Sequence, residues 1–237
     1  MAAFLLVPGA WLGGWCWRDV ASHLRAEGHT VVAATLTGLG ERAHLLDRQT
    51  GLDTHVDDIV ALMHYRYLKD LVLVGHSYGG TVITAVAERV PDQIQSLVYL
   101  DGSVPRNGQS NNDVVGPDLT AHIRQEAMSH GDGWRVPPAL VAEWGLSDSM
   151  VAWVEPRLTA HPLRSLEDRV GLRSKAAASL PRAFLRTSTE SALYARLMVR
   201  ARDAGWYCRD VGGGHYPMFT NPQAVAVALT DFAARLA

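Results

Sequence analysis

Short apolar runs set the rhythm of the first hundred residues. Ala2–Val7 (AAFLLV), Thr30–Leu36 (TVVAATL), Leu71–Val74 (LVLV) and Ser96–Leu100 (SLVYL) are largely continuous rather than alternating. Runs of this kind and length are the pattern of strands covered on both faces, as in a parallel sheet. Between them, Trp15–Glu27, Thr54–Tyr67 and Thr81–Arg89 carry apolar residues at helical spacing, which predicts helices leaning on that sheet. Gly28 stops the first of these helices, and Thr54 with Asp57 three residues later reads as a capping box near the start of the second. Strand and helix in alternation imply right-handed βαβ units.

After Gly102 the rhythm breaks. Residues 103–180 contain no comparable strand; helical stretches at Asp118–His130, Pro138–Gly145 and Asp148–Leu158 are punctuated by prolines, and Trp134, Trp144 and Trp153 fall in this part of the chain. The alternation returns with Pro181–Thr187, a helix over Ser191–Ala204, Trp206–Val211 and a last helix over Pro222–Arg235, whose proline takes the first helical position after Asn221. The expected fold class is α/β: a mainly parallel sheet with helices on both faces, built from residues 1–102 and 181–237, with residues 103–180 inserted as a helical lid. Helices inserted at the C-terminal side of a parallel sheet lie over its ligand crevice.

One junction carries chemistry. Leu71–Val74 and the helix after it are joined by Gly75-His76-Ser77-Tyr78-Gly79, a G-x-S-x-G match in strand–turn–helix context. Such a turn lifts the Ser77 hydroxyl above the sheet edge, where the free N–H groups and positive end of the next helix can hold an oxyanion. A serine hydroxyl is a poor nucleophile near neutral pH, so it needs a base and a group that orients the base.

Ten histidines are available. His23, His29, His44, His55 and His64 lie on or beside early helices, where a solvent-facing imidazole is the ordinary explanation. His122, His130 and His161 belong to the expected lid, and His76 points away from its neighbour at so tight a turn. His215 instead follows a strand end on the loop Gly212-Gly213-Gly214 and comes last in the chain, as the base does behind this kind of elbow. It is the expected general base. For the orienting carboxylate, Asp101 at the end of the fourth run is preferred, with Glu190 beyond Pro181–Thr187 as the alternative. The oxyanion donors are expected to be the backbone N–H of Tyr78 and that of Ala10 or Trp11. Trp11, Trp134, Trp153 and Tyr216 are the candidate pocket residues, although at least two of the three lid tryptophans read as the lid's own core.

Composition changes this picture little. The 237 residues are 48% hydrophobic and 19% charged, and the net charge of −2 gives no electrostatic case for nucleic acid or an anionic membrane. No apolar run reaches membrane-spanning length. Cys16 and Cys208 read as buried thiols rather than a disulfide, and no secretory segment precedes the first strand, so the expected compartment is the cytoplasm. Neither a G-x-G-x-x-G after a strand, nor a phosphate-binding loop, nor zinc-ligand spacing occurs, so no metal or organic cofactor is inferred. The expected partner is a small-molecule ester; the oligomeric state is left open, a homodimer included.

Phe4–Val20, Thr35–Leu45, Gly51–Leu62, Leu71–Gly80 and Leu97–Ser110 together resemble the α/β-hydrolase superfamily. More narrowly, they are similar to small bacterial esterase-like hydrolases related to plant hydroxynitrile lyases and plant methylesterases. The resemblance implies a nucleophile at Ser77, a base at His215 and oxyanion amides at Ala10 and Tyr78. Haloalkane dehalogenases carry a carboxylate at the position matching Asp101, which supports that placement. Three positions depart from the family pattern: Pro8-Gly9 stands for the usual His-Gly, Tyr216 follows the base where aspartate is commoner, and the usual acid position offers only Glu190. The implied activity is serine hydrolysis of small to medium apolar carboxylic esters or lactones through an acyl-enzyme. The alternatives are a hydrolase-fold receptor or biosynthetic cyclisation scaffold with little hydrolysis, and, less favoured, a hydroxynitrile lyase. In the plant lyases a lysine stands where this chain has Tyr216.

Overall fold

The computed structural model describes residues 1–138, 141–188 and 190–236. Six strands form one parallel sheet: β1 (Ala3–Val7), β2 (Thr30–Ala33), β3 (Leu71–His76), β4 (Ile94–Leu100), β7 (Arg182–Arg186) and β8 (Tyr207–Asp210). The two-residue strands β5 (Arg135–Val136) and β6 (His161–Pro162) pair antiparallel within the segment between β4 and β7. The order across the main sheet is β2-β1-β3-β4-β7-β8. From β1 the chain steps outward to β2 and then returns across β1 to β3, so the strand order reverses between β1 and β3. Crevices at such a reversal take ligands beyond the C-terminal strand ends.

The continuous apolar runs are explained by two cores, one on each face. Leu5, Val7, Leu71, Leu73, Leu97 and Tyr99 face one core, under α2 (Leu52–Tyr65), α3 (Gly79–Arg89) and the helix Ala192–Asp203. Phe4, Leu6, Val72, Val74, Val98 and Leu100 alternate with them into the other, under α1 (Arg18–Ala26) and the helix Pro222–Ala234. Burial on both faces removes the need for polar positions along a strand.

Several element ends differ from the sequence reading. The first helix opens as a 3-10 turn, Gly14–Trp17, before α1. α2 begins at Leu52, not at a Thr54 cap: the Thr54 hydroxyl accepts the Gly51 N–H at 3.3 Å, and Asp168, 116 positions away, accepts the Leu52 N–H at 2.9 Å. Asp57 pairs with Arg89 instead of closing a capping box. Within the segment 103–180, the longest helix is Pro117–His130, and Asp148–Val154 is followed by a 3-10 turn, Glu155–Arg157. Of the stretch Pro138–Gly145, residues 139–140 lie outside the described residues and Val141–Trp144 form a 3-10 turn. The segment is tied to the core's loops: the Thr159 N–H donates to the Trp11 carbonyl at 3.2 Å, and the Gly40 N–H to the Thr159 hydroxyl at 3.1 Å. Cys16 and Cys208 are free thiols, the first buried. Among the described residues, no helix is long and apolar enough to cross a membrane.

Candidate active site

Three loops at the C-terminal ends of β1, β3 and β4 meet where the strand order reverses. The sheet register puts Val7 beside Gly75 and His76 beside Leu100, so the chain leaves β3 and β4 at one level. Ser77 follows β3 with φ 51°, Asp101 follows β4 with φ 40°, and Trp11, beyond β1, has φ 64°. Left-handed backbone at a non-glycine residue is strained, and here the surrounding structure holds it in three adjacent loops. Close approach explains two glycines. A Cβ at Gly79 would lie 2.7 Å from the Val7 and Pro8 carbonyl oxygens, and one at Gly9 would lie 2.8 Å from His76 Nδ1. The β1 loop can therefore lie against the serine turn only with hydrogen at both positions.

The long loop after β8 brings His215 across. Its Nε2 lies 3.2 Å from Ser77 Oγ, and its Nδ1 lies 3.4 Å from Asp101 Oδ2. An Nδ1–H donating to the carboxylate leaves Nε2 with a lone pair facing the serine hydroxyl. Both contacts are loose, as is usual for catalytic hydrogen bonds before substrate tightens them. Asp101 is fully buried. Oδ1 accepts the Thr187 N–H at 2.8 Å, while Oδ2 accepts the Thr187 hydroxyl and the Ser188 N–H, both at 2.9 Å. Burial alone would push this carboxyl up; hydrogen bonds and charge from His215, with the Ser188 and Thr187 donors, outweigh it and hold the group below the usual carboxylate range. Glu190 is exposed in the turn before the helix Ala192–Asp203. The segment after β7, the usual acid position, thus hydrogen-bonds to Asp101 through Thr187 and Ser188.

Ala10 and Tyr78 line the cavity beside Ser77, and among the described residues neither backbone N–H has an acceptor. The Trp11 N–H is engaged instead, donating to His161 Nδ1 at 3.4 Å. Of the two β1-loop amides left open by the sequence, Ala10 is the free one. The cavity measures about 430 Å³, and among the described residues its lining holds no Asp, Glu, Lys or Arg. Leu119, Ile123, Leu166 and Leu193 give it apolar walls, and Trp11 and Tyr216 are also in its lining.

Trp134 and Trp153 are not in that lining. The guanidinium groups of Arg48 and Arg135 lie 5.8 and 5.3 Å from the centre of the Trp134 ring, and Trp153 packs edge-on against Trp15 with Arg18 and Arg157 each 4.6 Å from its ring. Both rings pack the inserted segment onto the α/β core rather than within itself: Trp153 also meets Phe219 edge-on, and Arg18, Trp15 and Arg48 all come from outside residues 103–180.

Several residues of the site gave no usable sequence signal. His55 and His161, the first expected to face solvent, are both fully buried around Tyr78. The Tyr78 hydroxyl lies 2.8 Å from His55 Nδ1, and His55 Nε2–H donates to the Thr37 carbonyl at 3.0 Å. His161 Nε2–H donates to the Ser165 hydroxyl at 2.9 Å. Burial, partly offset by the Thr37 hydrogen bond, lowers His55 to about 4; burial and the nearby His55 hold His161 well below the ordinary imidazole value. His76 donates from Nε2 to the His215 carbonyl at 2.7 Å, and burial lowers it to about 3. Tyr194 stacks on the His215 ring at 5.0 Å, its hydroxyl 3.4 Å from Nε2. These residues meet only through tertiary contacts, so spacing along the chain does not announce them. No group of three or more metal-ligating side chains occurs among the described residues.

A carbendazim-hydrolysing esterase of Nocardioides sp. (strain SG-4G) is 54% identical over 110 residues, covering 46% of each chain. A protein described as putative methylesterase 13, chloroplastic, of Arabidopsis thaliana is 24% identical over 255 residues, covering 96% of this chain and 55% of its own length. The matches thus span about half the length of these curated relatives. Among solved structures, an extracellular α/β-hydrolase from a Paenibacillus species superposes with a TM-score of 0.84 at 25% identity, covering 98% of this chain and 99% of that one. It is described as sharing structural and functional homology with tobacco salicylic acid binding protein 2. The family model described as the alpha/beta hydrolase family matches residues 4–228, nearly the whole sequence, and the chain belongs to that family.

Proposed function

We propose that the protein is a serine hydrolase of small to medium apolar carboxylic esters or lactones, working by acyl transfer. The observation that carries this reading is the line Ser77 Oγ–His215 Nε2, His215 Nδ1–Asp101 Oδ2 at the mouth of an uncharged cavity. Ser77 Oγ attacks the ester carbonyl carbon as its proton passes to His215 Nε2. The oxyanion takes hydrogen bonds from the Ala10 and Tyr78 amides, and Asp101 keeps the Nδ1–H tautomer and offsets the imidazolium charge. Collapse expels the alkoxide, which leaves as the alcohol with the proton from Nε2. Water, deprotonated by the same nitrogen, then releases the acid and restores Ser77. The relatives named as esterases support the ester class, and every group invoked comes from one chain.

Residues 103–180 serve as the lid over this cavity. Helix Pro117–His130 supplies Leu119 and Ile123, and Leu166 comes from the same segment. An uncharged lining suits a neutral ester and offers no cation to hold cyanide, which disfavours a lyase. The paired imidazole and serine with free amides beside them favour turnover over a receptor or scaffold. The free thiols suit a reducing cytoplasm; secretion is the alternative, and cell fractionation decides it. The test of the reaction is labelling by a fluorophosphonate probe: one adduct on Ser77 by mass spectrometry is expected, and no adduct at Ser77 overturns the assignment.

A further inference from the structure

A second cavity lies beside the C-terminal half of α3, lined by Thr84, Ala87 and Glu88, and among the described residues it shares no lining residue with the first. It measures about 580 Å³ and lies between α3, the helix Ala192–Asp203 and the short helix Lys175–Ser179. Small buried residues line it, one from each of the three helices: Ala87, Ala177 and Ala201. Its aromatic wall is a stacked pair, Tyr99 and Trp206, with ring centroids 5.4 Å apart. The same helix serves both cavities, with Leu193 and Tyr194 at the first and Leu197 and Ala201 further along at the second.

The charges around this second cavity do not balance. Arg106, Arg173, Lys175, Arg182 and Arg200 line it, against one carboxylate among the described residues, that of Glu88. Glu88 is already engaged: its Oε2 accepts the Arg173 and Ser174 N–H groups at 2.7 and 2.8 Å. Among the described residues none of the five cations forms an ion pair, whereas Arg42, Arg89, Arg186 and Arg209 each do. Arg200 is half-buried and spends one N–H on the Val104 carbonyl; burial first, then the Arg106 charge, lowers its pKa. Arg182 donates to the Ala177 and Ala178 carbonyls and lies 5.3 Å from the centre of the Trp206 ring. In a chain of net charge −2, cations that could have paired with acids are gathered here without them.

We propose that this cavity is a binding site for an amphipathic carboxylate, its aryl or short alkyl body against Tyr99, Trp206 and Leu197 and its carboxylate held by Arg106 and Arg200. A forked guanidinium matches a carboxylate in geometry as well as charge, and partial burial strengthens the pair. The site stands apart from the proposed hydrolysis and needs no turnover to be observed. The free acid released by an ester hydrolase has this chemistry, as would any small aryl or alkyl acid in the cell.

The test is isothermal titration of the purified full-length protein with 2-naphthoate, 2-naphthalenemethanol and inorganic phosphate. Saturable binding of the naphthoate is expected, with affinity falling as salt is added. The neutral alcohol and phosphate should each bind more weakly by about tenfold or more, having only one of the two complementary parts. Arg200→Gln and Arg106→Gln should each weaken naphthoate binding by about tenfold, and Ala201→Phe, which fills the cavity without touching a charge, should abolish it. Fluorophosphonate-labelled protein should bind the naphthoate as the free protein does. Naphthoate binding that is absent, that survives both Ala201→Phe and Arg200→Gln in folded protein, or that disappears on labelling would overturn the proposal. So would phosphate binding as tightly as the naphthoate.

Discussion

His76 donates its Nε2–H to the carbonyl oxygen of His215 at 2.7 Å, so the residue before the serine holds the backbone of the proposed base. The two imidazoles lie 4.8 Å apart, yet the burial that lowers His76 to about 3 keeps it neutral and outside the proton path. Its part is to place the long loop after β8. Replacing it with leucine should lower kcat for a p-nitrophenyl ester by roughly ten- to a hundredfold, the scale of a small misplacement of a catalytic group, with KM little changed. His76→Gln keeps a donor and should recover part of the loss. Wild-type kcat in a folded His76→Leu protein would remove the positioning role.

Asp101 and Glu190 can be separated by single charge-neutral changes. Asp101→Asn should lower kcat by about 10³- to 10⁴-fold through loss of the Nδ1–H tautomer and of the negative charge beside it. Glu190→Gln, at an exposed turn, should leave kcat within about twofold. Thr187→Val removes one of the donors to Asp101 Oδ2 and should give an intermediate loss. Steady-state kinetics on the three variants decides, and a severe loss in Glu190→Gln with none in Asp101→Asn would reverse the assignment.

The amide of Trp11 is held by His161, a residue 150 positions later in the inserted segment. That contact, with the Trp11 indole N–H donating to the Val136 carbonyl at 3.1 Å, ties the loop carrying Ala10 to the proposed lid. His161→Phe should lower kcat by about tenfold, since one neutral hydrogen bond that shapes the oxyanion site is lost. Ser165→Ala, one contact further out, should have a smaller effect. Equal kcat in wild type and His161→Phe would show that the contact does not position the hole.

Stability should fall on acidification before surface carboxylates titrate. His55 is buried neutral and its folded value of about 4 lies below its ordinary 6.5, so between these values the unfolded chain binds more protons. The contribution is fully present above pH 6.5 and is lost as pH falls toward 4; from this group alone it is on the order of 3 kcal/mol. His76 and His161 shift in the same direction. Asp101, held low, adds a loss only at more acid pH. Urea unfolding at pH 7.5, 6 and 5 should show ΔG decreasing, with a shallower fall in His55→Gln. A flat profile would contradict the burial of these rings as neutral groups.

What was legible in the sequence follows from locality. The Ser77 turn is a strand, five residues and a helix, so its chemistry and its context lie within one short stretch. The runs Leu71–Val74 of β3 and Leu97–Leu100 of β4 are readable because burial on both faces keeps them continuously apolar, while Gln95 and Ser96 interrupt β4 nearer its start. Asp101 is legible because it ends a strand beside the serine's, a placement the register puts on the same edge. The capping of α2 was misplaced because Asp168 comes from the inserted segment, and no window around Thr54 contains it. The buried roles of His55 and His161 were missed for the same reason, since each depends on Tyr78 from a distant element. Trp134 and Trp153 went to packing because arginines, not a cavity, meet their faces.

The central claim is that the Ser77 hydroxyl, 3.2 Å from His215 Nε2, is the atom that takes the acyl group. The most direct measurement is the turnover of p-nitrophenyl butyrate by wild type and Ser77→Ala, with circular dichroism to confirm equal folding. The account requires hydrolysis by the wild type and a loss of about 10⁴-fold or more in the variant. Comparable turnover by the two proteins would contradict it.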